Sequence, residues 1–143
     1  VLDFSIEQSF AGSPDRVFRA LADLGGAAEW MPGFVGFERL AGPSFDVGTA
    51  WRATRHLLGM EVTDRFEVTA CDPPGHLEIR ADGAVGSGEI LFRYDIHPVE
   101  SGARVTLYVR IADGMLGRMM AGPLRRTCVG DLESLADHLS RDA

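Results

Sequence analysis

In the stretch WRATRHLLGMEVTDRFEV, residues 51 to 68, two charged side chains fall where apolar ones belong. Met60, Val62, Phe66 and Val68 recur on one side of a strand, and Glu61, Thr63, Arg65 and Glu67 on the other. That alternation is what a half-buried strand requires. Asp64 breaks it by sharing the apolar phase. The preceding strand carries Trp51, Ala53, Arg55 and Leu57 in one phase, so Arg55 breaks its pattern in the same way. With Leu58-Gly59 as a two-residue hairpin turn, Leu57 faces Met60, Arg55 faces Val62, Ala53 faces Asp64 and Trp51 faces Phe66. Arg55 then lies diagonal to Asp64 on one face, within reach of a long side chain.

Three roles fit such a pair. It can be a structural ion pair, or two charges near the end of a sheet that reach water. It can orient a ligand, because a guanidinium fork and a carboxylate in apolar surroundings fix a carbonyl or a hydroxyl. It can also be catalytic, with Asp64 as general acid or base and Arg55 stabilising an enolate. Burial raises the pKa of a carboxylate and a neighbouring Arg lowers it, so the sequence leaves the three open. Tyr94 shares an inward phase and offers a hydroxyl donor. His56 falls on an outward phase, His76 follows a Pro-Pro-Gly turn, His97 precedes Pro98 and His138 lies on the polar side of the last helix. All four are expected in solvent. They form no i, i+4 ligand pair, and no metal or cofactor is expected. Cys71 and Cys128 belong to no CxxC pattern and read as structural thiols.

The elements that must position these groups are legible from composition and period. The chain has 143 residues and a net charge of −7, which suits one globular domain over residues 1–143 with a substantial core. An acidic balance argues against nucleic acid or an anionic membrane as partner. No apolar run approaches the roughly 20 residues that span a bilayer. The opening VLDFSIEQSF alternates like a strand and lacks the build of a signal peptide, so a cytoplasmic monomer or homodimer is expected. All fourteen basic residues are Arg, and Lys and Asn are absent, which excludes a Schiff-base or P-loop lysine.

Residues 2 to 10 alternate as a first strand. Ser13 and Pro14 open a helix that Gly25-Gly26 should end, and AAEWMPGF should add a short helical piece stopped by Pro32-Gly33. Six further strands follow: FVGFERL, TAWRATRHLL, MEVTDRFEVTA, HLEIRA, EILFRYDIHP and ARVTLYVRI, separated by Gly-, Pro- and Asp-rich breaks. The last 30 or so residues change period. Leu116, Met119, Met120, Leu124, Cys128, Leu132, Leu135 and Leu139 step by threes and fours, the mark of a long amphipathic helix that Pro123 should kink or interrupt. An antiparallel sheet curved around that helix would bury its apolar stripe.

This order, with the phrases SPDRVFRALADLGGAAEWMPGF, VGTAW, TACDPPGHLEI and DLESLADHL, resembles the START-like or Bet v 1-like helix-grip superfamily (SRPBCC), and within it the bacterial polyketide cyclase/dehydrase and lipid-transport group. The resemblance implies an α+β helix-grip fold and a pocket between the concave sheet and the long helix. Inward phases put Trp51, Phe66, Phe92, Tyr94 and Leu107 on its wall, with Arg55 and Asp64. The last helix would add Met119 and Met120, and the entrance segment Trp30 and Phe34. The Gly-rich DGAVGSGE would be a flexible turn over the pocket mouth. A hydrophobic or amphipathic small molecule is the expected ligand. The alternatives are a cofactor-independent polyketide cyclase or dehydratase using Arg55, Asp64 and Tyr94, and a co-chaperone-like interaction module with a filled interior. A pocket of about 300 Å³ left empty and dry would cost about 7 kcal/mol, so ligand or water is expected in it.

Overall fold

Period-2 alternation builds the sheet, and the computed structural model describes it over residues 2–42, 44–57, 59–82, 89–112 and 115–141, with the backbone alone for 2, 115–118 and 120. The strands are β1 (Leu2–Phe10), β2 (Phe34–Ala41), β3 (Ala50–Leu57), β4 (Met60–Asp72), β5 (His76–Asp82), β6 (Glu89–Val99) and β7 (Gly102–Ile111). They form one antiparallel sheet in the order β1-β7-β6-β5-β4-β3-β2. Every neighbouring pair except β1 and β7 is consecutive in the chain, as tight turns dictate. The chain crosses from the β1 edge to the β2 edge through helix α1 (Pro14–Ala22) and a 3-10 segment (Leu24–Glu29). Register breaks in β2–β3 and in β4–β5 between Val68 and Ala70 bend the strands. The open, curved sheet is closed on its concave side by α2 (Met115–Arg141), which completes the α+β helix-grip architecture.

β7 shows how the pattern becomes packing. Ala103, Val105, Leu107, Val109 and Ile111 are all buried, while Arg104, Tyr108 and Arg110 between them face water. Burying each Val, Leu or Ile stabilises by about 1.5–3 kcal/mol. These side chains share a core with Ile6 and Phe10 of β1, Val17 and Phe18 of α1, and Cys128, Leu132, Leu135 and Leu139 of α2.

The helical connections depart from the sequence reading in three places. Asp23, not Gly25-Gly26, ends α1. Its N–H reaches the Ala20 carbonyl, and its carboxylate accepts from Gly26 N at 3.1 Å, so one residue closes one helix and caps the next. The glycines therefore lie inside the 3-10 segment, and the second helical piece starts earlier than expected and stops before Trp30. α2 also runs unbroken past Pro123, which forgoes only the bond to the Met119 carbonyl. The DGAVGSGE loop lies outside the described residues between Asp82 and Glu89.

Four contacts anchor the helices to the sheet and to each other. Arg125 donates to the Ser5 carbonyl at 3.2 Å, and Arg16 to the Leu139 carbonyl at 2.7 Å. Ser134 Oγ donates to the Trp30 carbonyl. The fourth contact, from Arg55 to Asp131, belongs to the site.

Candidate functional site

The hairpin register is Leu57 to Met60, Arg55 to Val62, Ala53 to Asp64 and Trp51 to Phe66, as the alternation dictates. Trp51 therefore stacks on Phe66, with ring centroids 5.6 Å apart and planes 17° from parallel, and Phe45 packs against Trp51 at 5.8 Å. Beyond this aromatic floor the sheet and α2 stand apart around a cavity of about 180 Å³. Its sheet wall includes Trp51, Ala53 and Arg55 of β3, Asp64 and Phe66 of β4, Phe92 and Tyr94 of β6, and Leu107 of β7. Trp30, Met31, Phe34 and Phe37 close the β2 side, and Leu124, Thr127, Cys128, Asp131 and Leu132 of α2 form the roof. Phe37, 38% exposed, and the exposed Asp23 mark the rim.

The sequence-derived candidates Trp30, Phe34, Trp51, Arg55, Asp64, Phe66, Phe92, Tyr94 and Leu107 thus share one cavity. Met119 does not: it is 66% exposed, on the solvent side of α2. The side chain of Met120 lies outside the described set. The cavity is also smaller than the expected volume of about 300 Å³.

The charged pair is rearranged. Arg55 turns away from the diagonal toward Asp131 of α2. Its Nη1 donates to Asp131 Oδ2 at 2.9 Å and its Nη2 to Oδ1 at 2.8 Å. Nη2 also donates to the Pro32 carbonyl at 2.7 Å. Pro32 is held there by Gly33, whose φ of +74° and close approach to the His56 carbonyl leave no room for a Cβ. A helix carboxylate in bidentate contact outcompetes a cross-strand diagonal because both Nη donors are satisfied at once. Both partners are largely buried, with side-chain exposures of 16% and 18%. Arg55 Nε is buried without a hydrogen-bond partner. Asp64 is half-buried on the same cavity wall.

Around this pair burial raises the pKa of the titratable groups. Burial pushes the Tyr94 phenol far above its ordinary range, with Cys128 and Asp131 adding to the effect and Arg55 opposing it. Burial pushes the Cys128 thiol up to about 12, with Asp131 adding and Arg55 opposing. For Asp131 burial raises the pKa, and the hydrogen bond and charge of Arg55 pull it back. The Tyr94 hydroxyl makes no hydrogen bond among the described residues, so a neutral donor points into an apolar space.

Asp131 and Thr127 went unnoticed in the sequence, where Cys128 read only as a structural thiol on the apolar stripe, yet a signal for Asp131 existed. Leu124, Cys128, Asp131 and Leu135 step by four, three and four, so Asp131 interrupts the buried stripe of α2 as Asp64 interrupts that of β4. Among the histidines, His56 and His97 are exposed as expected. His76 is not simply solvated: its Nδ1 donates to Asp95 at 2.7 Å on the outer face of the sheet. His138 is half-buried. No cluster of three or more metal-ligating side chains occurs among the described residues, and no helix among them is long and apolar enough to cross a membrane.

Comparison with known proteins agrees with this architecture. The family described as polyketide cyclase / dehydrase and lipid transport matches residues 2–141. Among solved structures, Ara h 8.0201 superposes with a TM-score of 0.81 at 15% identity, covering 98% of each chain. A Rhodobacter sphaeroides protein superposes with a TM-score of 0.80 at 19% identity, over 97% of this chain and 93% of that one. Protein CV1439 from Chromobacterium violaceum gives 0.77 at 18% identity over 96% of each. No protein with a curated description matches the chain. At such identities these structures speak for the fold alone. The family match covers nearly the whole sequence, and the chain belongs to the polyketide cyclase / dehydrase and lipid-transport family.

Proposed function

Proceeding from that membership, we propose that the protein binds a hydrophobic or amphipathic small molecule in the cavity between the sheet and α2. The observation that carries this reading is an apolar cavity of about 180 Å³ lined by a hydroxyl, that of Tyr94, which has no hydrogen-bond partner among the described residues. Left dry, such a void would cost about 4 kcal/mol, a large share of a domain's stability. A protein with no use for the space would be expected to fill it. Trp51, Phe66 and Phe92 supply apolar walls, while Arg55, Asp64 and Tyr94 supply polar anchors.

The state of three ionisable groups, Tyr94, Cys128 and Asp131, favours binding over cyclase or dehydratase chemistry carried by them. A general base must be free to take a proton near neutral pH. Burial keeps Tyr94 and Cys128 protonated, and the oxygens of Asp131 are occupied by Arg55. A collapsed interaction module is disfavoured by the cavity itself.

Native mass spectrometry of freshly purified protein, before and after denaturing extraction, tests the reading. A mass excess that extraction releases as a lipid, polyketide or aromatic molecule is the expected result. An unchanged mass, together with no uptake of added hydrophobic molecules, would overturn it.

A further inference from the structure

The cation at the polar end of the cavity is neutralised before any ligand arrives. Among the described residues that line it, Arg55 is the only cation, while Asp23, Asp64 and Asp131 are acidic. A guanidinium attracts a ligand carboxylate when its fork is free. Here both Nη atoms are already engaged by Asp131, and Nη2 also by the Pro32 carbonyl. Asp131 is covalently part of α2, so it holds Arg55 as an intramolecular competitor that a dissolved anion must displace. The displaced Asp131 would then be a buried charge without its partner.

We infer that the cavity selects a neutral oxygenated molecule, a ketone, ester or alcohol carried on an apolar ring or chain, and rejects the corresponding carboxylate. This deepens the binding reading above and rests on it. The hydroxyl of Tyr94 makes no hydrogen bond among the described residues, and it is a donor that burial keeps protonated, suited to a carbonyl or hydroxyl oxygen. A ligand oxygen that accepts from Tyr94 gains a hydrogen bond without disturbing the ion pair. A ligand carboxylate would enter a largely apolar site whose cation is already neutralised, and the cost of desolvating it would not be repaid. Size limits the ligand independently of charge. An engineered cavity of about 150 Å³ admits benzene. A cavity of about 180 Å³ therefore has room for one substituted ring at its inner end.

Calorimetric titration of the intact protein at neutral pH with two near-isosteric pairs tests this: acetophenone against benzoate, and decan-2-one against decanoate. Both tryptophans of the chain, Trp30 and Trp51, line the cavity, so their emission reports occupancy independently. The expected result is that the ketone binds on the order of tenfold tighter, or more, than its carboxylate partner. A carboxylate that binds as tightly as its ketone while perturbing the tryptophans would overturn the inference and leave the binding reading standing. Failure of all four molecules to bind would overturn the binding reading, and the inference with it. Asp131→Asn, checked for folding by circular dichroism, should release Arg55 and raise benzoate affinity on the order of tenfold. A folded Asp131→Asn with no such gain would contradict the role given to the ion pair. If that variant does not fold, the wild-type comparison decides.

Discussion

Arg55 and Asp131 face each other with two hydrogen bonds of 2.9 and 2.8 Å, joining β3 to α2 at the polar end of the cavity. The two residues are 76 positions apart in the chain. Their contact fixes the height of the helix above the sheet, and it removes the only described cation of the cavity wall from service as an anion receptor.

Removing one partner should be much worse than removing both. Asp131→Ala is expected to destabilise by about 3–5 kcal/mol, because it leaves a buried guanidinium uncompensated. Arg55→Met combined with Asp131→Leu should recover most of that loss, since apolar groups of similar volume need no partner. Urea unfolding of the two variants checks both, and a single substitution as mild as the double one would contradict the burial of the pair.

Tyr94→Phe separates stability from recognition. The hydroxyl has no partner among the described residues, so its loss should lower stability by no more than about 0.5 kcal/mol. Affinity for a neutral oxygenated ligand should fall by about tenfold, the worth of one hydrogen bond. Thermal melting and titration on the same sample read the two effects.

Ala53→Leu probes the void directly. Ala53 lies on the cavity wall across from Asp64. A leucine there should be accommodated, leaving stability unchanged or raised, and it should weaken ligand binding. In a filled interior the same change would cost about 1–3 kcal/mol through overpacking, so the sign of the stability change decides.

Alkaline pH should unfold the protein through its buried thiol. Cys128 titrates near 9.0 in an unfolded chain and is pushed up to about 12 in the fold. Between those values the unfolded state sheds its proton while the folded state keeps it. Stability that is complete below pH 9 is therefore lost progressively as pH rises toward 12, by about 4 kcal/mol over the full span. Tyr94 adds a contribution of the same sign at higher pH. Cys128→Ala should flatten the slope of stability against pH above about 9, and an unaltered slope would count against the burial of the thiol.

Much of this arrangement was legible in the sequence because strands advertise themselves locally. The alternation of Trp51, Ala53, Arg55 and Leu57 against Met60, Val62, Asp64 and Phe66 sets register and face together, and the structure has that register. The partner of Arg55 was not legible in the same way. Strand neighbours follow from the turn between them, whereas the contact between β3 and α2 depends on how a helix settles across the sheet, which no local pattern encodes. The same limit explains Met119, which is exposed: a period of three and four defines an apolar stripe but not where the stripe leaves the core. The end of α1 shows a competition of another kind, in which the side-chain cap of Asp23 acts before the glycines that follow it.

The central claim is that the space between sheet and helix receives a small neutral molecule, and the two indole N–H signals of the protein test it most directly. Trp30 and Trp51 are the only tryptophans in the chain, and both line the cavity. In a two-dimensional nitrogen–proton spectrum, titration with acetophenone should shift both signals along one saturating curve, and Ala53→Leu should weaken that response. Two signals that stay in place up to the solubility limit, in a spectrum that is otherwise that of a folded protein, would contradict the account.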